Sequence, residues 1–157
     1  RPLLPGGQRL AAAGNTATRL HDFWPDGKIN PKPGLANGGL APDTCAPVIV
    51  AGRVFATAYG EMYCLDLKNG LKTIWVAEDD MFFDHSNVIG GNGRVLAWTN
   101  SGDLLLLDAA ANEFKPLARF RHFGDASTDS MSHPAIVGNR LYLRGPNELA
   151  CFELGEK

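Results

Sequence analysis

Three stretches of the chain share one order of apolar and polar positions. A short apolar run turns at Gly or Asn into a second run that opens on Arg. That run turns again, at Gly or Asn, into a third that closes on an acid. The stretches are residues 47–56 with 60–67, residues 88–97 with 102–108, and residues 134–143 with 147–154. Their arginines, Arg53, Arg94 and Arg140, recur about 41 and 46 residues apart, and their acids are Asp66, Asp108 and Glu153. Short apolar runs punctuated by Gly, Asn and Pro read as strands. A repeat of about 40 to 50 residues built from such strands is the sequence mark of propeller blades.

Each repeat predicts a four-stranded meander. The first gives strands at 48–50, 53–58, 61–67 and 71–77, with turns at Ala51-Gly52, Tyr59-Gly60 and Asn69-Gly70. Asn-Gly is a strong hairpin signal because both residues tolerate positive φ. The second repeat gives 87–89, 94–99, 103–108 and 114–120, and the third gives 135–137, 140–143 and 148–154 with no fourth strand. Third strands are apolar at consecutive positions, most clearly Leu104-Leu105-Leu106-Leu107. A sheet with one wet face would alternate, so both faces are expected to be covered, as in stacked blades. Fourth strands carry Lys72, Lys115, Arg119 and Arg121, as an outer edge does.

The fold expected is all-β: about three four-stranded antiparallel β-propeller blades, the last incomplete, of a larger propeller. The blades fall at 46–79, 85–121 and 132–157. Residues 1–45 form a linker region, in which 1–15 read as a tail, 16–24 as a single strand, and 25–47 as a long Gly/Pro-rich loop. A loop of that length is functional or disordered. The start at Arg1 rather than Met, in a stretch that is no signal peptide, reads as a processed, excised or proteolysed piece, with any targeting segment lying upstream. Closed rings use about four to eight blades. The remaining blades are therefore expected from other fragments or copies. Segment 16–24 or a neighbouring chain is expected to supply the missing fourth strand.

Composition removes several classes of function. The formal net charge is -2 and no basic stripe occurs, which argues against a nucleic-acid partner. Arg119, Arg121 and His122 read as a solvated outer strand. No apolar run approaches the ~18 residues of a membrane span. Of three cysteines, Cys64 and Cys151 share the register of Leu106, so all three positions are expected to be buried packing sites. Cys45 lies in a loop, and no zinc-ligand spacing occurs.

Cys64-Leu65-Asp66-Leu67-Lys68-Asn69-Gly70, followed by Trp75, resembles the repeat of pyrroloquinoline-quinone-type propellers. That repeat runs Ala-x-Asp-x-x-x-Gly with a Trp four residues on. Asp66 and Gly70 match, Cys64 stands for the small Ala, and Trp75 follows Gly70 by five residues. The second copy keeps Gly102 and Asp108, and the third has Glu153 in the Asp place. The resemblance covers about residues 46–154. The family's dehydrogenases use adjacent cysteines, a calcium held by carboxylate and amide groups, and an aspartate base. No adjacent cysteines occur here. The Gly/Pro-rich loops and Leu141-Tyr142-Leu143-Arg144-Gly145 resemble instead the non-catalytic members, which are large bacterial exported proteins and lipoproteins of outer-membrane assembly. This implies a non-enzymatic binding or scaffold module, periplasmic or extracellular. It implies a protein or peptide partner, no quinone or other cofactor, no metal and no catalytic residue. Two alternatives stay open: the C-terminal part of a quinoprotein dehydrogenase, and a carbohydrate-binding or carbohydrate-processing propeller.

Loops that enter a first strand share one propeller face with the turns between second and third strands, and that face commonly holds ligands. They are residues 25–46, 79–86 and 122–133. Their candidate ligand-binding residues are Asp43, Asp84, His85, Asp129 and His133, with Asp79 and Asp80 as further carboxylates. One reading makes His85 and His133 ligand contacts at the channel mouth. The other makes them hydrogen-bonding anchors between blades. Ser132 lies between Asp129 and His133, but no strand–turn–helix elbow surrounds it, which excludes a hydrolase. Met81-Phe82-Phe83 reads as a plug between blades or as an exposed patch.

Overall fold

The computed structural model describes residues 10–13, 16–19, 40, 42, 44–123 and 131–154. The chain divides into two compact units, Arg1–Leu35 and Ala36–Lys157. In the first, β1 (Leu10–Ala13) pairs antiparallel with β2 (Thr16–Arg19), Ala12 opposite Ala17. The strand expected at 16–24 is thus seen at its start, and residues 20–24 lie outside those described. Leu10–Ala13 is a strand within the stretch read as a tail or linker. Its run of one Leu and three Ala has no period of its own and becomes a strand through its partner.

The second unit holds three antiparallel meanders, here called blades 1 to 3. Blade 1 is β3 (Val48–Val50), β4 (Arg53–Ala58), β5 (Glu61–Asp66) and β6 (Lys72–Glu78). Blade 2 is β7 (Ser86–Gly91), β8 (Arg94–Thr99), β9 (Asp103–Asp108) and β10 (Pro116–Arg121). Blade 3 is β11 (Ala135–Val137), β12 (Arg140–Arg144) and β13 (Leu149–Glu153), whose outer edge has no partner strand among the described residues.

Hairpin turns follow the residues expected. Ala51-Gly52, Tyr59-Gly60 and Asn92-Gly93 each place two successive residues at positive φ, the pattern whose twist matches flanking strands. The third turn of blade 1 differs from expectation: positive φ falls on Gly70 and Leu71 rather than on Asn69-Gly70. Asn69 is held by Asp66, whose carboxylate accepts from Lys68 N, Asn69 N and Asn69 Nδ2. The turn therefore opens one residue later.

Register confirms that the repeat is structural. Arg53 faces Asp66, Arg94 faces Asp108 and Arg140 faces Glu153 across the second and third strands. Cys64, Leu106 and Cys151 follow, opposite Phe55, Leu96 and Tyr142. The extra residue before Trp75 is absorbed by a β-bulge opposite Cys64 and Leu65, which leaves Trp75 paired with Cys64. β9 is covered on both faces as its leucine run requires: Leu105 and Leu107 pack with blade 1, and Leu104 with blade 3.

Burial of the shared cysteine position does not follow the repeat. Cys64 is fully buried, Leu106 is half-buried and Cys151 is exposed. This corrects the expectation of three buried sites. The position faces the following blade, so its burial depends on what that blade brings. Blade 2 seals Cys64 with Val95, Leu105 and Leu107. Blade 3 only half covers Leu106, and no described element covers Cys151.

Candidate functional site

Antiparallel order puts the β4–β5 and β8–β9 turns at the same end of the sheets as the loops entering β7 and β11. This end carries the described candidate residues. The loop from β6 to β7 is shaped by Asp79, which caps a short 3-10 turn (Asp80–Phe82) by accepting from Met81 N at 3.1 Å. Arg119 Nη2 of β10 donates to both Asp79 oxygens at 2.6 Å, and Asp79 N donates to Gly60 O at 3.2 Å. The loop is thus tied to its own blade and to the next.

That arrangement splits the Met81-Phe82-Phe83 run. Met81 and Phe82 are buried in the core between blades 1 and 2, where Phe82 meets Phe114 at 6.4 Å between ring centres. Phe83 is 69% exposed and Tyr59 is 71% exposed. Phe83 lies over Gly60: a Cβ there would stand 2.9 Å from its ring. Tyr59 holds φ 53°, a left-handed conformation that costs a bulky residue about 1–2 kcal/mol. A strained aromatic beside an exposed one points to a use at the surface. Met131, 61% exposed, lies in the loop entering β11.

Behind this rim lies a buried hydroxyl chain. Thr57 Oγ1 is 2.5 Å from Ser86 Oγ and 3.1 Å from Cys45 Sγ. Ser86 N donates to Thr44 Oγ1 at 3.2 Å. The chain joins blade 1 to blade 2 and satisfies polar groups that burial would otherwise penalise. In blade 2, Thr99 Oγ1 accepts from Asp103 N, and Arg121 donates to both Asp103 oxygens. Those bonds to Asp103, with its charge, raise the Arg121 guanidinium above its ordinary pKa.

His85 is half-buried, with Nε2 3.2 Å from Asn87 Nδ2, and its carbonyl accepts from Asn100 N at 2.9 Å. Asn87 stands opposite Trp98 across β7 and β8. Among the described residues, Asn87 Oδ1, Trp98 Nε1 and Asn100 Oδ1 are buried without a hydrogen-bond partner. Sequence reasoning missed this set. Its signal was present: Ser86 and Asn87 are polar residues leading an otherwise apolar strand.

Asp84 is exposed beside His85, and His133 is exposed just ahead of β11. Among the described residues, no hydrogen bond or ion pair joins His133 to either of them, and no group of three His, Cys, Asp or Glu side chains is placed to hold a metal. Asp43 and Asp129 lie outside the described residues. No helix among the described residues is long and apolar enough to cross a membrane.

No protein-family profile and no curated protein matches the chain. Solved structures do. BamB from Moraxella catarrhalis aligns with 73% of this chain and 35% of its own, at 21% identity and a TM-score of 0.58. Quinohemoprotein alcohol dehydrogenase from Comamonas testosteroni aligns with 71% of this chain and 19% of its own, at 17% identity and a TM-score of 0.55. A europium-containing methanol dehydrogenase aligns with 69% of this chain and 22% of its own, at 17% identity and a TM-score of 0.52. The chain thus spans about a third or less of these proteins. Identities this low speak to fold alone, and with the register above they agree on it: this is the all-β fold of pyrroloquinoline-quinone-like propellers, in three consecutive blades with four, four and three strands.

Proposed function

We propose that the chain is a non-enzymatic binding module of a pyrroloquinoline-quinone-like propeller, exported, and that it recognises a protein or peptide at the rim formed by Tyr59 and Phe83. The observation that carries this reading is that rim. Two large aromatics stand about seven-tenths exposed, Tyr59 at positive φ and Phe83 over the adjacent Gly60. Aromatic residues and Met are enriched where proteins meet. The polar groups nearby are spent on joining blades: Asp79 on Arg119 and the 3-10 turn, Ser86 on Thr57 and Thr44. His85 serves as an anchor to Asn87 and Asn100. In this reading blades 1 to 3 form one arc of a larger ring.

A peptide-display library panned against the chain tests the reading. Enriched peptides are expected to lose at least ~10-fold in affinity, about 1.4 kcal/mol, when Tyr59→Asn and Phe83→Ser are combined. The opposing result is uptake of pyrroloquinoline quinone with calcium at micromolar affinity, together with alcohol oxidation by a dye acceptor. That outcome would establish the dehydrogenase alternative and remove the binding-module reading.

A further inference from the structure

We propose that the Tyr59–Phe83 rim takes a basic segment of a partner protein, with an arginine set against the rings and among the carboxylates at that end of blade 1. This names the partner chemistry of the protein- or peptide-binding reading and rests on it.

Blade 1 separates its charges by end. Arg53, Lys68 and Lys72 lie at the end of the β3–β4 and β5–β6 turns. Glu61, Glu78, Asp79, Asp80 and Asp84 lie at the other end, with the rim. The bond from Asp79 N to Gly60 O, 3.2 Å long, holds the loop that carries Phe83 to the turn that carries Tyr59. The acids of both segments are thus brought to one end beside the rings. Among the described residues, Asp79 alone of these acids has a cation, and it takes Arg119 with both oxygens. That pair also fixes the loop to blade 2, so the remaining acids sit on a held segment.

The rings make the surface, and the carboxylates choose what covers it. Glu78, Asp80 and Asp84 are exposed. Glu61 stands directly opposite Glu78 across β5 and β6, a placement in which like charges repel. Tyr63 Oη donates to one Glu61 oxygen at 2.5 Å, which leaves the charge itself uncompensated. A cation relieves that repulsion, whereas an acidic segment adds to it. Exposed aromatic faces attract cations as well. Arginine answers both features with one group: its planar guanidinium stacks on a ring while its N–H groups donate to carboxylates.

The probe is a labelled synthetic peptide that alternates arginine and leucine, titrated against the intact chain. Its control carries citrulline for arginine, which keeps the shape and removes the charge. Saturable binding is expected, at least ~10-fold tighter for the arginine peptide, about 1.4 kcal/mol. It should weaken as salt is raised from ~0.05 M to ~0.5 M. Tyr59→Asn combined with Phe83→Ser is expected to lose at least ~10-fold. Asp80→Asn combined with Asp84→Asn, which alters exposed side chains alone, is expected to lose at least ~5-fold. Glu113→Gln, at an exposed acid in the β9–β10 turn of the opposite end, should stay within ~2-fold of the unaltered chain. No saturable binding by a cooperatively folded chain overturns the proposal. So does equal affinity for the citrulline peptide, indifference to the Asp80 and Asp84 changes, or an equal loss from Glu113→Gln. Panned peptides that are neutral or acidic and still need Tyr59 and Phe83 would leave the broader reading standing and remove this partner chemistry alone. Absence of any rim-dependent peptide would remove both.

Discussion

The interface between blades 1 and 2 is closed, whereas that between blades 2 and 3 is a wedge. Equivalent positions explain the difference. Phe55 becomes Leu96, Val50 becomes Gly91, and the Trp75 place opposite Cys64 becomes Ala118 opposite Leu106. On the opposing face, Gly90, whose Cβ would overlap Val50 Cγ2, becomes Ile136. The first interface thus joins large residues to a glycine. The second sets smaller ones against an isoleucine that is left half exposed. It closes at the other end, where Trp98 and Leu104 share a buried cluster with Leu141 and Leu143, and where Phe123 meets Trp98 at 5.6 Å and lies where any Cβ on Gly145 would be.

Polar contacts repeat the contrast. Ala111 O, in the β9–β10 turn of blade 2, accepts from Trp75 Nε1 at 3.2 Å and from Arg53 Nη1, and Arg53 Nη2 donates to Asn112 Oδ1 at 2.8 Å. Blade 1 therefore grips the turn of its neighbour. Arg94, the counterpart of Arg53, pairs with Asp108 of its own blade at 3.1 Å. The repeat keeps the arginine and changes what it reaches. One motif thus yields a sealed joint in one place and an open one in the next.

The largest expected effect comes from breaking the closed joint. Trp75→Ala removes the ring between Phe55 and Phe114 and a bond to Ala111 O. Denaturant unfolding should show a loss of about 3–5 kcal/mol. Gly90→Ala attacks the same joint from the other side. Overpacking against Val50 should destabilise the chain by about 1–3 kcal/mol, while Gly91→Ala, with nothing within 4 Å of its Cβ, should not.

A paired comparison sharpens the polar contrast. Arg53→Ala is expected to lose about 1–2 kcal/mol for its bonds across the joint. Arg94→Ala is expected to lose less than about 0.5 kcal/mol for an exposed pair. Filling the wedge should act in the opposite sense. Ala118→Leu places apolar volume toward the wedge, and a gain of about 0.5–1 kcal/mol in thermal unfolding is expected.

Thiol chemistry gives the finest test. Burial pushes the Cys64 thiol up to about 11, so its folded form holds its proton more tightly than the unfolded chain does. That contribution to stability is complete below the ordinary thiol range, near pH 8.5, and is lost as pH rises toward 11. At pH 8, Cys151 is expected to react with an aromatic disulfide reagent while Cys45 and Cys64 stay silent. Trp75→Ala should bring Cys64 into reach. Reaction of Cys64 in the unaltered chain would break the picture of a sealed joint.

The strand pattern was legible because it rests on local facts. Ala51-Gly52, Tyr59-Gly60 and the apolar runs between them are readable from neighbours a few residues away, and the observed strands match the expected ones to within about two residues. Asp84, His85 and His133 were legible as loop residues at the end that carries the β4–β5 and β8–β9 turns, yet the partners of His85 were not. Asn87, Trp98 and Asn100 read as ordinary strand residues, because an unpaired buried atom is a property of surroundings rather than of a residue type.

The sequence by itself determined three repeats, their register and their meander order. Strand alternation, turn chemistry and the spacing of Arg and acid act over short distances and are written in consecutive residues. Tertiary structure decided how much each blade buries. Cys64, Leu106 and Cys151 are the same place in three copies and range from sealed to exposed. Apolar burial depends on the surface brought against a side chain, and that surface belongs to the next blade, some forty residues away.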